Sequence, residues 1–363
     1  MTVIGHGYDD NVGAPAYRNL IINGGMSVAQ RNPSVPVINA YGSGYYTADR
    51  WLYTQDNTVG TWTQSVENDA PTDSGFRKSL KMFCTTANSS LDAGDFISID
   101  QRLEGQNLQH FLKGTSAAKK FAVSFWVKSN VTGTYIINLR DTDNTRFVAS
   151  SYSISASGIW EKKTIIFPAD TTGVFDNDNA LSLSLQFALM QGSTYTSGTL
   201  STTWGSETGN IANRFVGQTN LGASANNYWQ VTGVQLEPEV VTPFEFEPYE
   251  TTLRKCQRYY QIVIDSATNF YQVIGSQYSA NAVFARFWFP TRMRAVPNPV
   301  DNTLRVNIYS AGVLSEANAV ANFAFNYADP QGMGVQFTTA GDTAGRAVHL
   351  DWASGSLHAN AEL

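Results

Sequence analysis

Four histidines, His6, His110, His349 and His358, are the first place to look for metal chemistry, and none stands in an HExxH or HxH arrangement. Zinc needs such spacing, or thiols to complete it, and Cys84 and Cys256 each lack a second thiol nearby, so neither a metal site nor a disulfide framework is expected. A serine nucleophile elbow reads GxSxG. AYGSGY around Ser43 misses that register, because its glycine is adjacent to the serine rather than two residues back. The sequence NGGM at 23–26 has no following Lys and Ser or Thr to hold a phosphate and predicts a tight turn. Two acidic pairs, Asp141 with Asp143 and Asp176 with Asp178, offer oxygens at alternate positions, as hard cations require. Neither pair has the glycine and distal glutamate of a calcium loop, and Asp and Asn clustered between strands usually make turns. No catalytic residue, metal ligand or cofactor site is therefore assigned.

Aromatic side chains are the remaining chemical resource. Trp62, Trp160, Trp204 and Trp229 lie in or beside polar runs, and the stretch 191–210, QGSTYTSGTLSTTWGSETGN, sets Tyr195 and Trp204 among small hydroxylated residues. A flat ring can stack on a sugar face while neutral hydroxyls donate and accept, so Tyr195, Trp204, Ser193 and Thr203 are the candidate glycan-binding residues, with Thr194 and Ser197 beside them. Taken singly, each ring is more often a packing residue. The whole stretch is the stronger candidate, because a polar insertion of about twenty residues exceeds what connecting two strands requires.

The elements that must position these residues are strands. In KKFAVSFWVKS, Phe121, Val123, Phe125 and Val127 alternate with Ala122, Ser124, Trp126 and Lys128, giving one apolar and one mixed face. LSLSLQF likewise puts Leu181, Leu183, Leu185 and Phe187 opposite Ser182, Ser184 and Gln186, as in a sheet with one buried side. Comparable runs at 50–55, 60–66, 78–85, 95–102, 133–141, 145–153, 160–167 and 227–237 predict an all-β jelly-roll β-sandwich. The rhythm breaks at 248–264, where Leu253, Cys256, Tyr259, Tyr260 and Ile264 recur at helical intervals. Short strands resume at 281–290, 305–312, 322–328, 334–340 and 347–352. The expected order is an N-terminal docking arm at 1–18, a jelly-roll domain at 19–247, a linker helix at 248–264 and a second, smaller β-sandwich at 265–363. A shorter helix is expected at 103–114, with Gly114 as its cap. No heptad or long repeat supplies a shaft.

Composition sets outer limits. The 363 residues suit roughly two domains. Charged residues make up 15%, below the usual share of about 25%, and 20 Phe, 17 Tyr and 8 Trp are far more aromatic side chains than disordered chains carry. A net charge of −6 with no basic cluster disfavours nucleic acid and anionic membranes as partners. With no transmembrane stretch and no signal-peptide pattern, the expectation is a soluble product made in a reducing cytoplasm.

Several stretches also have a family likeness. RNLIINGGMSVAQR (18–31), YTADRWLY (46–53), VTGVQLEPEVVTPFEFEPYETTLRKCQRYYQ (231–261), FWFPTRMRAVPNPV (287–300) and the terminal HANAEL (358–363) together resemble a pattern of tailed-bacteriophage tail fibres and other virion structural proteins. The region 54–230 matches only in composition and strand rhythm. The resemblance implies a carbohydrate-binding-module-like jelly roll and a compact C-terminal β domain, assembled as a homotrimer within the virion after synthesis in the bacterial host. Within these motifs physical chemistry gives structural roles: Trp51 and Leu236 as core anchors, Gly233 as a bulge between Val231 and Val234, and Arg50 with Glu237 as candidates for a partly buried ion pair. The function the resemblance points to is host attachment: a short tail fibre, an adhesin touching host cell-surface polysaccharide, with the arm bound to other virion proteins. A head fibre or capsid decoration protein without a receptor, and a glycan-degrading depolymerase, are the alternatives. Tyr271, Tyr278 and Tyr309 of the C-terminal domain mark a competing location for a ligand.

Overall fold

The computed structural model describes residues 18–31, 42–57, 60–265, 273–310, 313–322, 328–339 and 344–363. Residues 1–17 of the expected arm, and Tyr271, lie outside this set. The chain divides into two compact units, one containing Trp51–Pro248 and the other Tyr249–Leu363 together with Thr47–Arg50 and Val28–Pro33.

The first unit is a two-sheet sandwich. Its strands are β1 (Gly44–Tyr45), β2 (Leu52–Asp56), β3 (Thr61–Glu67), β4 (Ser79–Thr86), β5 (Phe96–Glu104), β6 (Phe121–Ser129), β7 (Gly133–Asp141), β8 (Arg146–Ile154), β9 (Glu161–Phe167), β10 (Leu181–Gln191), β11 (Gly205–Ser206) and β12 (Tyr228–Pro238). One sheet runs β1-β2-β5-β10-β7-β8-β11 and the other β3-β4-β12-β6-β9. Their inner faces follow the alternation in the sequence: Val123, Phe125 and Val127 of β6 and Leu183, Leu185 and Phe187 of β10 are all buried. Phe187 meets Phe125 edge to face at 5.0 Å and Trp229 at 5.4 Å, which joins the two sheets through aromatic contacts. Trp51 and Leu236 are fully buried.

β10 departs from the one-sided expectation. Ser182, Ser184 and Gln186 are buried as well, because the chain between β10 and β12 folds back over part of the outer face. The helix expected at 103–114 is two 3-10 turns, Gly105–Asn107 and Gln109–Phe111. Leu112, at φ 51, takes the left-handed position that ends the second. β5 runs on to Glu104, so too few residues remain for a full α-helix.

Two glycines are dictated by close approach. A Cβ on Gly24 would stand 2.1 Å from the Val234 carbonyl oxygen, in the turn that the NGG sequence predicts. Gly233, at φ +62, sits where β12 bulges against β6: Thr232 faces Trp126 and Gln235 faces Ser124, leaving one extra residue on β12.

In the second unit the helix spans Tyr249–Gln257, shorter than the 248–264 expected. The sequence then turns to YQIVID, whose β-branched residues suit a pleated strand better than a helix, and β13 covers Tyr260–Asp265. The following strands are β14 (Val273–Ser279), β15 (Ala282–Trp288), β16 (Asn298–Ser310), β17 (Val313–Asn322), β18 (Ala328–Asp329), β19 (Gly332–Thr338) and β20 (Ala347–Asn360). β20 pairs with β13 and β14 on one side and with β16 on the other, and β14-β15-β19-β17-β16 completes the circuit. One sheet thus curls until its halves face each other over Val283, Phe287, Val306, Ile308, Val335, Phe337 and Leu350.

Four of the sequence stretches meet inside this unit. Glu362 pairs with Arg50 and with Arg31, the latter at 3.0 Å. The Arg50 guanidinium lies 3.5 Å from the centre of the Tyr259 ring, and that of Arg31 lies 3.6 Å from Tyr260. Gln30 donates to Asp49 and, at 2.9 Å, to the Tyr260 carbonyl. The expected Arg50 and Glu237 pair is replaced by this arrangement. Glu237 instead accepts from the Thr242 backbone N–H at 2.6 Å, its hydroxyl at 2.7 Å and Gln235 Nε2 at 2.9 Å. Thr242 is close in sequence, so a local turn satisfies the carboxylate.

Candidate functional site

Ser193 and Tyr195 belong to a single helical turn, Ser193–Thr196. The Tyr195 ring meets Phe96 edge to face at 5.0 Å and packs on the small cluster of Phe96, Ile136, Ala149, Ala188 and Phe215 outside the seven-stranded sheet. Trp204 has other neighbours. Its Nε1 donates to the Pro168 carbonyl at 2.8 Å, its ring lies 5.5 Å from that of Phe121, and Lys113 Nζ stands 5.2 Å from its centre. Ser193 and Thr203 are exposed, whereas each ring is half-buried against its own set of partners.

The stretch that carries these residues is fastened by charge. Arg214 donates to Glu207 at 3.0 Å and to Gln186 at 2.5 Å, and Arg140 donates to Glu207 at 2.8 Å. Gln186 passes the network to Asp100, which also accepts from Thr54 and Ser98. Burial pushes the Asp100 carboxyl above its ordinary range, because removing water disfavours its charged form. Below Trp204, Lys113 bridges Asp141 at 2.5 Å and Asp170 at 3.1 Å and donates to the carbonyls of Thr172 and Gly173. The acidic pairs divide accordingly: Asp141 belongs to this buried ion group, Asp143 accepts from the Asp176 N–H and so ties two loops together, and Asp178 accepts from the Ala180 N–H within its own turn. Among the described residues no group of three or more His, Cys, Asp or Glu could hold a metal ion.

The more open arrangement is on the opposite sheet. With Phe125 and Val127 turned into the core, Trp126 faces outward from β6, directly across from Lys162 on β9 and Thr232 on β12. Beside it the segment after β12 folds back, because Phe244 and Phe246, two residues apart, project to one side and both reach Phe76. The three ring pairs are separated by 4.8 to 5.0 Å. Glu245 between them is held through its N–H, which donates to Gln235 Oε1 at 2.9 Å, and its carboxylate accepts from the Asn19 N–H at 2.9 Å. Phe76 in turn rests on Gly233, where a Cβ would come within 2.5 Å of the ring. Ser74, Phe76, Ser124, Trp126, Lys162, Gly233, Pro243, Phe244 and Phe246 enclose a cleft of about 230 Å³, room for a group the size of a sugar ring.

The donors in this cleft have capacity to spare. Among the described residues neither the Trp126 indole N–H nor the Lys162 ammonium has a hydrogen-bond or ion-pair partner, and the buried Thr232 hydroxyl on the same face is also without one. By contrast Lys128, two residues along β6, is paired with Asp69, which also accepts from Trp160 Nε1 at 3.1 Å. Sequence reasoning placed Trp126 on the mixed face of its strand without singling it out; the available signal was a tryptophan at a solvent-facing position in an otherwise regular alternation.

The second unit has a more open hollow of about 470 Å³ beside Ile274, Phe284, Arg286 and Arg346. Tyr278 is exposed nearby, and Tyr309 lies in β16. Arg286 there is already committed, to Asp329 and to the face of Trp288 at 4.4 Å.

No family model matches the chain, and no curated protein does. Solved structures with similar chains include phage tail components and carbohydrate-binding modules. The enzymatically active domain of tailspike protein 4 of bacteriophage CBA120 is 15% identical over 61% of this chain, with a TM-score of 0.34, and the match spans 22% of that domain's length. The family 11 carbohydrate-binding module of a Clostridium thermocellum cellulase is 10% identical over 58% of this chain and 98% of its own, with a TM-score of 0.29. The tripod from the baseplate of bacteriophage Tuc2009 is 12% identical over 90% of each chain, with a TM-score of 0.26. Among the described residues no helix is long and apolar enough to cross a membrane.

Proposed function

We propose that this chain is a non-enzymatic virion component of a tailed bacteriophage, a short tail fibre or receptor-binding protein that holds host surface polysaccharide on the outer face of its five-stranded sheet. The observation that carries this reading is the Trp126 cleft, where an outward ring and unspent donors stand beside three further rings. Apolar ring faces suit the C–H side of a pyranose, and N–H and O–H groups suit its hydroxyls. The virion assignment rests on the resemblance of 18–31, 46–53, 231–261, 287–300 and 358–363 to phage structural proteins. A homotrimer belongs to the same proposal, since three weak sugar sites on one axis gain avidity that one site lacks. Other virion proteins are the proposed partners of residues 1–18.

The test is adsorption of the purified, fluorescently labelled protein to host cells before and after mild periodate oxidation of their surface glycans. Binding that disappears after oxidation, with no release of reducing ends and a solution mass of a trimer, is the expected result. Binding that survives oxidation contradicts the glycan reading, and release of reducing ends contradicts the non-enzymatic one.

A further inference from the structure

The cleft has a charge as well as a shape. Lys162 is its single ionisable lining residue, on an edge strand where the nearby carboxylates are already engaged: Glu161 is paired with Lys163 at 2.6 Å, and Asp69 is taken by Lys128 and Trp160. The cleft is therefore locally positive in a chain whose net charge is −6. Across the β6 and β9 ladder Lys162 and Trp126 are direct partners, which brings an ammonium and an indole ring to bear on one ligand-sized space. Ser124, two residues before Trp126 on the same face of β6, adds a hydroxyl to the cleft lining.

We propose that Trp126 and Lys162 form a subsite for a negatively charged pyranose, a hexuronate unit whose ring lies on the indole and whose carboxylate is met by the Lys162 ammonium. This rests on reading the cleft as a glycan site and adds the class of sugar. Two features of the molecule favour it over a neutral sugar. A lysine with no acidic partner has its donors open to a ligand, and a carboxylate bound to an ammonium forms a stronger hydrogen bond than a neutral hydroxyl does. The frame also suits a fixed subsite: Phe76, Phe244 and Phe246 hold one another, so the cleft wall is set before a ligand arrives.

The test is titration calorimetry of the whole chain with a galacturonate trimer and with the neutral galactose trimer of the same linkage, at low and at 0.5 M salt. Wild-type protein should prefer the acidic trimer, and the preference should shrink at high salt as the attraction is screened. Lys162→Gln, at an exposed position, should weaken the acidic trimer about tenfold and leave the neutral one unchanged, while Trp126→Ala weakens both by at least about tenfold. If both trimers bind wild-type protein equally and Lys162→Gln changes neither, while Trp126→Ala still abolishes them, the acidic-sugar inference fails and the glycan site stands. If Trp126→Ala leaves binding intact, or neither trimer binds, both fail. Far-ultraviolet circular dichroism of each variant distinguishes lost binding from lost fold.

Discussion

Arg50 sits at φ +73, a left-handed conformation that an L-residue with a side chain adopts at a cost of about 1–2 kcal/mol. Its side chain explains why the conformation persists: the guanidinium is 1% exposed, pairs with Glu362 and lies on the face of Tyr259. Glu362 is itself 6% exposed and serves Arg31 as well, so one carboxylate neutralises two enclosed cations. Removing that carboxylate withdraws a charge partner from both enclosed cations at once. Glu362→Gln should lower unfolding free energy by about 3 kcal/mol, since breaking a buried pair typically costs ~3–5 kcal/mol. A denaturant midpoint equal to wild type would show that this group does not hold the second unit. None of these pairings was readable from the chain, because Arg31, Arg50 and Glu362 come from distant positions and their types alone select no partner. The expected pairing of Arg50 with Glu237 failed for that reason.

Strands and turns were far more legible, because alternation is a local property. The runs at 121–128, 133–141 and 227–237 became β6, β7 and β12, and the apolar face predicted for 121–128 is buried. Misreadings occurred where two periods overlap: Tyr260 and Ile264 fit a helical interval, yet the intervening Ile262 and Val263 favour a strand. The stretch 191–210 was legible as long and polar but not as pinned, since Glu207, Arg140 and Arg214 meet only in the fold. Gly233 connects bulge and cleft. Gly233→Ala should lose about 1–3 kcal/mol through its positive φ, and the added Cβ must displace Phe76 from 2.5 Å. Thermal unfolding should therefore fall by several degrees, and with it ligand affinity at the cleft, because Phe76 carries Phe244 and Phe246. An unchanged melting temperature would mean that the strand accepts the side chain and that the ring's seat does not depend on glycine.

For the whole molecule, nothing in the sequence indicated that the unit containing Tyr249–Leu363 also takes Thr47–Arg50 and Val28–Pro33 from the N-terminal half of the chain. The reason is physical: alternation and turn chemistry report neighbours along the chain, and a short segment that crosses to another unit has neither a period nor a length to reveal it. The same limit applies to function. Aromatic and hydroxyl content drew attention to Tyr195 and Trp204, whereas the fold packs those rings on Phe96 and Phe121 and leaves Trp126 facing outward with its N–H unspent. The proposed meeting place of glycan and protein is therefore one region, the outer face of the five-stranded sheet. Hydrogen–deuterium exchange of the whole chain, with and without host surface polysaccharide fragments, tests it most directly. Added glycan should slow exchange in 121–129 and 161–167 and around 74–76 and 243–246, with little change elsewhere. Protection confined to 192–210 or to 273–288, with 121–129 and 161–167 unchanged, would contradict it.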